Sequence, residues 1–167
     1  MPLKITEKAG LKAAMGLLAF ERGVGTLGQV ASFTKEFDLL IERAKETGKD
    51  KDPIIRQKIG EAYSGLKVMR FSALRTLSHT NHAKLEPAGM TSKLYWSAWH
   101  KKFTELGMEI CGASGLLERQ STGQLEELPW MYLNARADSI YGGTNQIQRN
   151  IVSEHALGMP REPRGKA

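Results

Sequence analysis

The chain has 167 residues, of which 41% are hydrophobic and 25% are charged, and its formal net charge is +6. These are ordinary values for one globular domain that can bury its own core, and no apolar run approaches the roughly 18 residues that a membrane span needs. The basic residues are scattered among acids rather than interleaved with aromatics, which argues against nucleic-acid binding. The single cysteine, Cys111, excludes an internal disulfide and fits a cytoplasmic protein.

The first helix is predicted to begin between Thr6 and Leu11 and to end near Thr47. Gly48 and a charged run follow it. Its first half is an apolar segment with five glycines, Gly10, Gly16, Gly23, Gly25 and Gly28. Each interior glycine costs a helix about 1 kcal/mol relative to alanine. The glycines therefore indicate the close approach of a ligand or of another backbone, and tight helix packing explains them equally well.

The second helix is predicted to begin at Asp52-Pro53, with aspartate as N-cap and proline at the first helical position. Its core face is predicted to comprise Ile55, Ile59, Ala62, Leu66, Met69, Ala73 and Leu77. Residues Glu86 to Gly89 are predicted to form a turn, after which Thr91 or Ser92 caps a third helix. The apolar stripe of that helix reads Trp96, Trp99, Phe103, Leu106 and Ile110. Aromatics at this spacing indicate core, or a subunit contact, rather than a ligand site.

The segment from Cys111 to Gly115 is predicted to end the third helix, and a loop of some fifteen residues leads to Pro129. Two more helical patterns follow, one through Trp130, Leu133, Ala137 and Ile140 and one through Ile147, Ile151, Val152 and Ala156. Gly158 ends the last helix. We therefore predict an all-α antiparallel bundle of four long helices and a shorter fifth over residues 1–160, with a charged tail at 161–167.

The corner between the last two patterns is the most informative stretch. Gly142 and Gly143 free the backbone from steric limits, and Thr144 is a good N-cap for the helix that follows. A helix N-terminus reached through glycines suits a phosphate, a polarised carbonyl or a flavin edge. A plain helix–helix corner without a ligand explains the same residues.

Glu21 is the most interesting carboxylate, because its helical neighbours Leu17, Leu18, Val24 and Gly25 are apolar or lack a side chain. Such an acid either pairs with a base and joins helices, or stands in a dry cavity with a raised pKa, as a general base requires.

Other reactive side chains give weaker signals. His79 and His82 have no accompanying ligand cluster, so we predict no metal site. Cys111 is expected to be a buried structural thiol.

These residues resemble the C-terminal helical domain of the acyl-CoA dehydrogenases. The resemblance rests on Tyr141 to Arg149, which fits the family pattern Tyr-x-Gly-Thr-x-Gln-Ile-Gln-Arg, and on the Leu-Gly-x-Pro-Arg ending at 157–161. Leu18 to Gly23 matches the start of the domain, and the similarity covers nearly all of the chain.

The resemblance implies an FAD-dependent α,β-dehydrogenation of an acyl-CoA thioester. A protein base removes the α-proton, the β-hydrogen leaves as hydride to the flavin, and an electron-transferring flavoprotein takes the electrons onward. In many members the base is a glutamate directly after the matched tyrosine, where this chain has Gly142. In isovaleryl and long-chain types the base comes from the first helix of the domain, where Glu21 stands. The resemblance thus favours Glu21 as the catalytic base.

By the same resemblance, the remaining site residues fall into three groups. Thr144, Asn145 and Gln146 are expected to contact the flavin, and Gly112 and Ala113 the adenosine part of a neighbouring subunit's FAD. The substrate pocket is expected to be lined by Tyr141, Gly142, Gly143, Leu18 and Gly25. Arg22 is expected to brace the turn that bears Gly142.

The chain departs from the family pattern in ways that keep alternatives open. The Arg-x-x-Phe-Gly segment that meets the flavin pyrophosphate across the dimer is not recognisable near residues 32–38, and Ala113 replaces a glycine. The N-terminal helical domain and the β domain are missing, so we expect a fragment or an abbreviated gene product that is inactive alone. The assembly is expected to be a homodimer or homotetramer; a non-catalytic partner in a heteromer, or a bundle that only oligomerises, are the alternatives.

Overall fold

A computed structural model describes Gly10 and the ranges 25–78, 87–116 and 126–161. Its α-helices are α1 (Gly25–Glu46), α2 (Pro53–Ser78), α3 (Pro87–Cys111), α4 (Glu127–Asn134) and α5 (Asn145–Ile151). Short 3₁₀ turns occupy Lys49–Lys51, Gly112–Leu116 and Ala137–Ser139, and a π-helical turn, Val152–Ala156, continues α5. No strand occurs within these ranges, and the predicted all-α bundle is confirmed.

The boundaries of the first two helices follow the sequence signals. α1 ends at Glu46 and the chain turns at Gly48, whose φ of 69° is left-handed. Asp52 caps α2 through its Oδ1 atom, which accepts hydrogen bonds from the main-chain N–H groups of Ile54 and Ile55. Both predictions are confirmed. Of the residues 6–11 at which the first helix was predicted to begin, only Gly10 is described, and it is helical.

α3 is the spine of the bundle, since it packs against each of the other four α-helices. Phe33 of α1 contacts Trp99 of α3, and Phe37 contacts Phe103 one turn further along both helices. α1 and α3 therefore run parallel. Lys58, near the start of α2, pairs with Glu109, near the end of α3. Ala62, one turn further along α2, accepts from Trp99, which lies ten residues earlier in α3, so α2 runs antiparallel to both.

The core is apolar and is centred on α1, α2 and α3. Its buried members are Val30, Phe33, Phe37, Leu40, Ala44, Ile55, Ala62, Leu66, Met69, Trp96, Phe103, Leu106, Ile110, Cys111 and Leu128. The predicted core stripes of α2 and α3 are thus largely confirmed, with Ile59 and Trp99 partly buried against the same cluster. Burial raises the pKa of the Cys111 thiol, which fits a structural role.

The predicted turn at 86–89 is wrong in position. α3 begins at Pro87, so the predicted caps Thr91 and Ser92 lie inside the helix. Proline at the first helical position needs no hydrogen-bond acceptor for its nitrogen and has a helical φ in advance. The same residue that suggested a turn therefore starts a helix.

The helical pattern predicted through Trp130 and Ile140 is not one continuous helix, and none of its apolar residues is buried. α4 begins at Glu127, two residues before Pro129, and ends at Asn134. Trp130 is 56% exposed, and Leu133 and Ile140 are exposed as well. The buried side chains on this segment belong to Leu128, Pro129, Ala135 and Asp138.

On the last helix, too, the apolar pattern does not mark the buried side chain. Ile147 is exposed and Gln148, next to it, is buried instead. The end of the helical region is confirmed, because Gly158 has a left-handed φ of 66° directly after the π turn. Within the described ranges, no helix is both long and apolar enough to cross a membrane.

The contact between α2 and α3 at Gly65 provides a test of the packing. The indole N–H of Trp99 donates to the Ala62 carbonyl at 3.0 Å, and a Cβ at Gly65 would lie 2.5 Å from that indole nitrogen. We predict that Gly65→Ala lowers the free energy of unfolding by about 1–3 kcal/mol through overpacking. Urea unfolding followed by circular dichroism measures it.

Gly60→Ala is the matched control, since Gly60 also lies in α2 and a Cβ there meets nothing within 4 Å. It should be neutral or stabilise by up to about 1 kcal/mol, as alanine is the better helix former. Equal effects of the two substitutions would contradict the packing at Trp99.

Candidate functional site

The glycine corner forms as its sequence predicts. Gly142 and Gly143 have φ values of 61° and 97°, a region that favours glycine. Thr144 then caps α5, and its hydroxyl oxygen accepts from the main-chain N–H of Ile147 at 3.3 Å. One helical segment stops, the chain turns on bare backbone, and α5 begins.

Two side chains hold the carbonyl oxygens of this corner. The Lys93 ammonium, on α3, donates to the Tyr141 carbonyl and, at 2.6 Å, to the Gly143 carbonyl. The Gln148 amide, on α5, donates to the intervening Gly142 carbonyl at 3.1 Å. Lys93 Nζ also lies 5.3 Å from the centroid of the Tyr141 ring, within the range of a cation–π contact.

A buried histidine stands behind the corner. His100 Nδ1 lies 2.5 Å from Asp138 Oδ2, and His100 Nε2 lies 2.9 Å from Glu36 Oε2. The three side chains are only 10%, 6% and 16% exposed for His100, Asp138 and Glu36. This ionic cluster joins α1, α3 and the 3₁₀ turn before the corner.

The cluster sets the charge of His100. Burial alone would lower the pKa of His100, but hydrogen bonds to Asp138 and Glu36 and the charges of those carboxylates raise it to about 9. The imidazole is therefore protonated at neutral pH and donates from both nitrogens.

Tyr141 extends the cluster to the corner. Its hydroxyl donates to Asp138 Oδ1 at 2.9 Å. Burial, and then this contact with Asp138, raises the pKa of Tyr141 to about 12. Tyr141 thus remains a neutral phenol that anchors the first residue of the corner.

These contacts come from one polar stripe on α3. Lys93 and His100 bond as described, and Ser97 Oγ donates to Asn145 Oδ1 at 3.4 Å. Thr104 Oγ1 accepts from the Arg136 guanidinium at 3.3 Å. The four α3 positions are spaced by four, three and four, so they share a face. That face holds the segment 136–145 against the bundle.

A cleft of about 470 Å³ opens beside the cluster, between α1, α4 and Tyr141. Its walls combine aromatic rings, carboxylates and bare helix backbone: Gly28, Gln29, Ser32, Phe33, Glu36, His100, Trp130, Met131, Asn134, Asp138 and Tyr141. A Cβ at Gly28 would meet no atom of the described residues within 4 Å. The cleft therefore places the early turns of α1 opposite the residue that starts the corner.

The structure brings together the predicted residues from Tyr141 to Gln146. The Gln146 side chain is exposed, whereas Asn145 turns back toward α3. Gly112 and Ala113 lie at the other end of α3, about 28 Å along the axis from Lys93 at 1.5 Å per residue. They belong to a different part of the surface.

Three predicted residues, Leu18, Glu21 and Arg22, lie outside the described ranges, as do His79 and His82. Gly25 is the first residue of α1. The roles predicted for these residues, and for the corner residues toward flavin and substrate, stay predictions.

Sequence reasoning missed His100, Asp138, Glu36, Lys93 and Gln148. The sequence did contain one signal for Lys93 and His100: polar residues recur along one face of α3 beside its apolar stripe. The acids carried no comparable signal. Glu36 directly precedes the buried Phe37, and Asp138 lies inside a pattern that was interpreted as apolar. Their pairing with His100 depends on separations of 64 and 38 residues.

Comparison with known proteins identifies the family. The family model described as acyl-CoA dehydrogenase, C-terminal domain, matches residues 8–157. The chain therefore belongs to the acyl-CoA dehydrogenase C-terminal domain family, and the resemblance seen in the sequence is confirmed.

Two curated relatives and a solved structure agree with this assignment. Over 158 residues, 93% of this chain, it is 44% identical to acyl-CoA dehydrogenase IpdE1 of Mycolicibacterium smegmatis and 42% identical to IpdE1 of Mycobacterium tuberculosis. The structure titled Tcur3481-Tcur3483 steroid ACAD matches 92% of the chain with a TM-score of 0.75 and 22% identity. The chain spans only 38%, 40% and 41% of the lengths of these three proteins.

The ionic cluster predicts a pH dependence of stability. The folded-state pKa of His100, about 9, lies above its ordinary value of 6.5. Protonated His100 therefore stabilises the fold fully below pH 6.5, and this contribution is lost as the pH rises through 9. We predict a loss on the order of 3 kcal/mol between these pH values, measured by urea unfolding.

His100→Asn should be less stable at pH 6.5 and should lack most of that slope. His155→Gln, which changes an exposed histidine, should keep it. A slope of equal size in His100→Asn and in the unsubstituted chain would show that the cluster is not its source.

The corner predicts a second stability difference, between two left-handed glycines. Alanine at such a φ costs about 1–2 kcal/mol, and this should be the whole effect of Gly48→Ala, since a Cβ there meets nothing within 4 Å. A Cβ at Gly143 would also lie 2.9 Å from Gln148 Nε2, so Gly143→Ala should lose more. Thermal and urea unfolding compare the two; a smaller loss for Gly143→Ala would contradict the corner geometry.

Proposed function

We propose that this chain is the C-terminal bundle of an FAD-dependent acyl-CoA dehydrogenase and contributes residues to α,β-dehydrogenation of an acyl-CoA thioester. The observation that carries the proposal is the Tyr141–Thr144 corner, in which two left-handed glycines follow Tyr141, and Tyr141 lines a cleft whose opposite wall is α1. The family assignment supplies the reaction class. The two curated relatives that the chain matches are each more than twice its length.

The corner residues fit a flavin. The main-chain N–H groups of Gly142 and Thr144 have no hydrogen-bond partner within the described ranges, and Gln146 is exposed beside them. Ile140 and Ile147 add exposed apolar surface. Donors and apolar area together suit the polar edge and flat face of a flavin ring. When bound, FAD supplies the acceptor for the hydride.

In the proposed reaction this chain positions the thioester and removes the α-proton. Main-chain N–H groups at the corner would donate to the thioester carbonyl oxygen, which draws charge from the α-carbon and acidifies its C–H. Gly142 has no side chain to accept the proton. The base must therefore come from elsewhere, and we propose Glu21 for this role, as the resemblance implies.

The position of Glu21 along the chain supports this role. On the predicted first helix it precedes Gly28 by seven residues, about two turns, and so shares a face with it. Gly28 and Ser32 line the cleft opposite Tyr141. Leu18 and Gly25 are proposed to border the acyl group on that face, with Arg22 bracing the corner.

The proposed assembly includes further subunits and an electron acceptor. Val68, Phe71 and Leu74 form an exposed apolar row on α2, with Phe71 65% exposed. Exposed apolar rows of this kind usually mark protein contacts, so we propose a homodimer or homotetramer. Gly112 and Ala113 would meet a neighbour's FAD, and an electron-transferring flavoprotein in the cytoplasm would reoxidise the flavin.

A non-catalytic subunit of a heteromer is the second candidate. The same α2 row accommodates an unlike partner, and Ser32 to Asp38 lacks the family's Arg-x-x-Phe-Gly segment. Purification of the full-length protein alone discriminates the two: a yellow, active protein excludes the second candidate.

The catalytic assignment is tested by Glu21→Gln in the full-length protein. A glutamine cannot accept the α-proton, so turnover with a dye acceptor should fall by about 10²–10⁴. Flavin content and acyl-CoA affinity should be retained. Glu61→Gln, at an exposed position of α2, is the matched control and should keep full turnover. Near-normal turnover of Glu21→Gln would remove Glu21 from the role.

A further inference from the structure

Lys93 and Gln148 bind successive carbonyls of the corner. Lys93 donates to the Tyr141 and Gly143 carbonyl oxygens, and Gln148 donates to the Gly142 carbonyl oxygen between them. Because a trans peptide group is planar, its C=O and the N–H of the next residue point in opposite directions. Holding these three oxygens therefore fixes the direction of the N–H groups of Gly142, Gly143 and Thr144.

Each of these N–H groups points away from the side chain that binds the preceding oxygen. The groups of Gly142 and Thr144 point away from Lys93, and the group of Gly143 points away from the Gln148 amide. The N–H groups of Gly142 and Thr144 have no partner within the described ranges, whereas Gly143 closes a hydrogen-bonded turn around Tyr141 and Gly142. The corner is thus arranged with its acceptors turned toward the protein and two of its donors available.

The holding side chains are poorly explained by packing alone. Gln148 is only 1% exposed, and its Oε1 atom is buried without a hydrogen-bond partner among the described residues. A buried unsatisfied acceptor is unfavourable, and a leucine would fill the same space without it. The Nε2 contact with the Gly142 carbonyl supplies a reason for an amide at this position.

Lys93 is suited to its contacts in a similar way. Two carbonyls on either side of a left-handed residue converge on one point, and a compact ammonium with three donors can bond both. Gly142 lies over it, since a Cβ there would be 3.5 Å from Nζ. A side chain without a donor, such as methionine, would leave the two oxygens without these bonds, and both peptide planes would be free to turn.

We propose that Lys93 and Gln148 are positioning residues that orient the corner's N–H groups toward the thioester carbonyl of the substrate. This inference rests on the proposed function. Neither side chain touches the reacting atoms in it; each acts through the peptide group that it holds. The expected signature is a loss of recognition of the carbonyl oxygen and not of the rest of the acyl-CoA.

A pair of ligands isolates that signature. Octanoyl-CoA carries the thioester carbonyl, and S-octyl-CoA has a methylene in its place. Calorimetric titration of the full-length protein, with its flavin reduced beforehand so that the thioester is not oxidised, gives the ratio of the two Kd values. We expect the unsubstituted protein to bind octanoyl-CoA at least about tenfold more tightly than S-octyl-CoA.

The Lys93→Met variant should bring this ratio close to one while S-octyl-CoA affinity stays within about twofold. The Lys93→Arg variant, which keeps the charge and the donors, should restore part of it. Lys67→Met is the matched control, because Lys67 also stacks its ammonium on a tyrosine ring, Tyr63, at 4.7 Å. It should leave the ratio unchanged.

Other outcomes separate the two proposals. An unchanged ratio in Lys93→Met, or an equal loss of affinity for both ligands, would overturn the positioning role and leave the proposed function intact. No preference for octanoyl-CoA in the unsubstituted protein would count against both. If Lys93→Met has a lowered Tm, Gln148→Met must reduce the ratio in a protein of normal Tm; failure to do so overturns the inference.

Discussion

The arrangement of the site depends on one buried charge, the protonated imidazole of His100 between Asp138 and Glu36. A charge removed from water requires partners, and here the two partners come from segments that are distant in the sequence. Glu36 belongs to α1, and Asp138 to the 3₁₀ turn before the corner. The histidine therefore links the two walls of the cleft. The position of Asp138 in turn fixes that of Tyr141, whose hydroxyl donates to the Asp138 carboxylate.

The face of α3 that carries His100 also carries Lys93, seven residues or about 10 Å earlier along the axis. His100 fixes the corner through the side chains of Asp138 and Tyr141, and Lys93 fixes it through main-chain carbonyls. Two attachment points on one rigid helix define both the position and the orientation of a glycine turn that would otherwise be free to change. These two sets of contacts explain how a turn built from flexible glycines can have a defined conformation.

The sequence predicted most of the architecture because its signals are local. Asp52-Pro53, Gly48, Thr144 and Gly158 act within a few residues of themselves, and the heptad-like stripes of α2 and α3 need only helical periodicity. The apolar pattern through Trp130 did not mark the buried side chains: Trp130 of α4 is exposed, whereas Asp138, in the following 3₁₀ turn, is buried against His100. The spacing of apolar residues cannot reveal a polar side chain that is buried because it has a partner. The contacts of His100 and Lys93 join residues 38 to 64 apart, and no local pattern records such pairing.

The central claim is that one acyl thioester lies between the first helix and the glycine corner of this bundle. The most direct measurement is an experimental structure of the full-length protein with FAD and an unreactive acyl-CoA analogue. The account predicts the carbonyl oxygen within hydrogen-bond distance of the main-chain N–H groups at 142–144, and the Glu21 carboxylate beside the α-carbon. A thioester bound away from the corner, or a Glu21 side chain in bulk solvent, would contradict it.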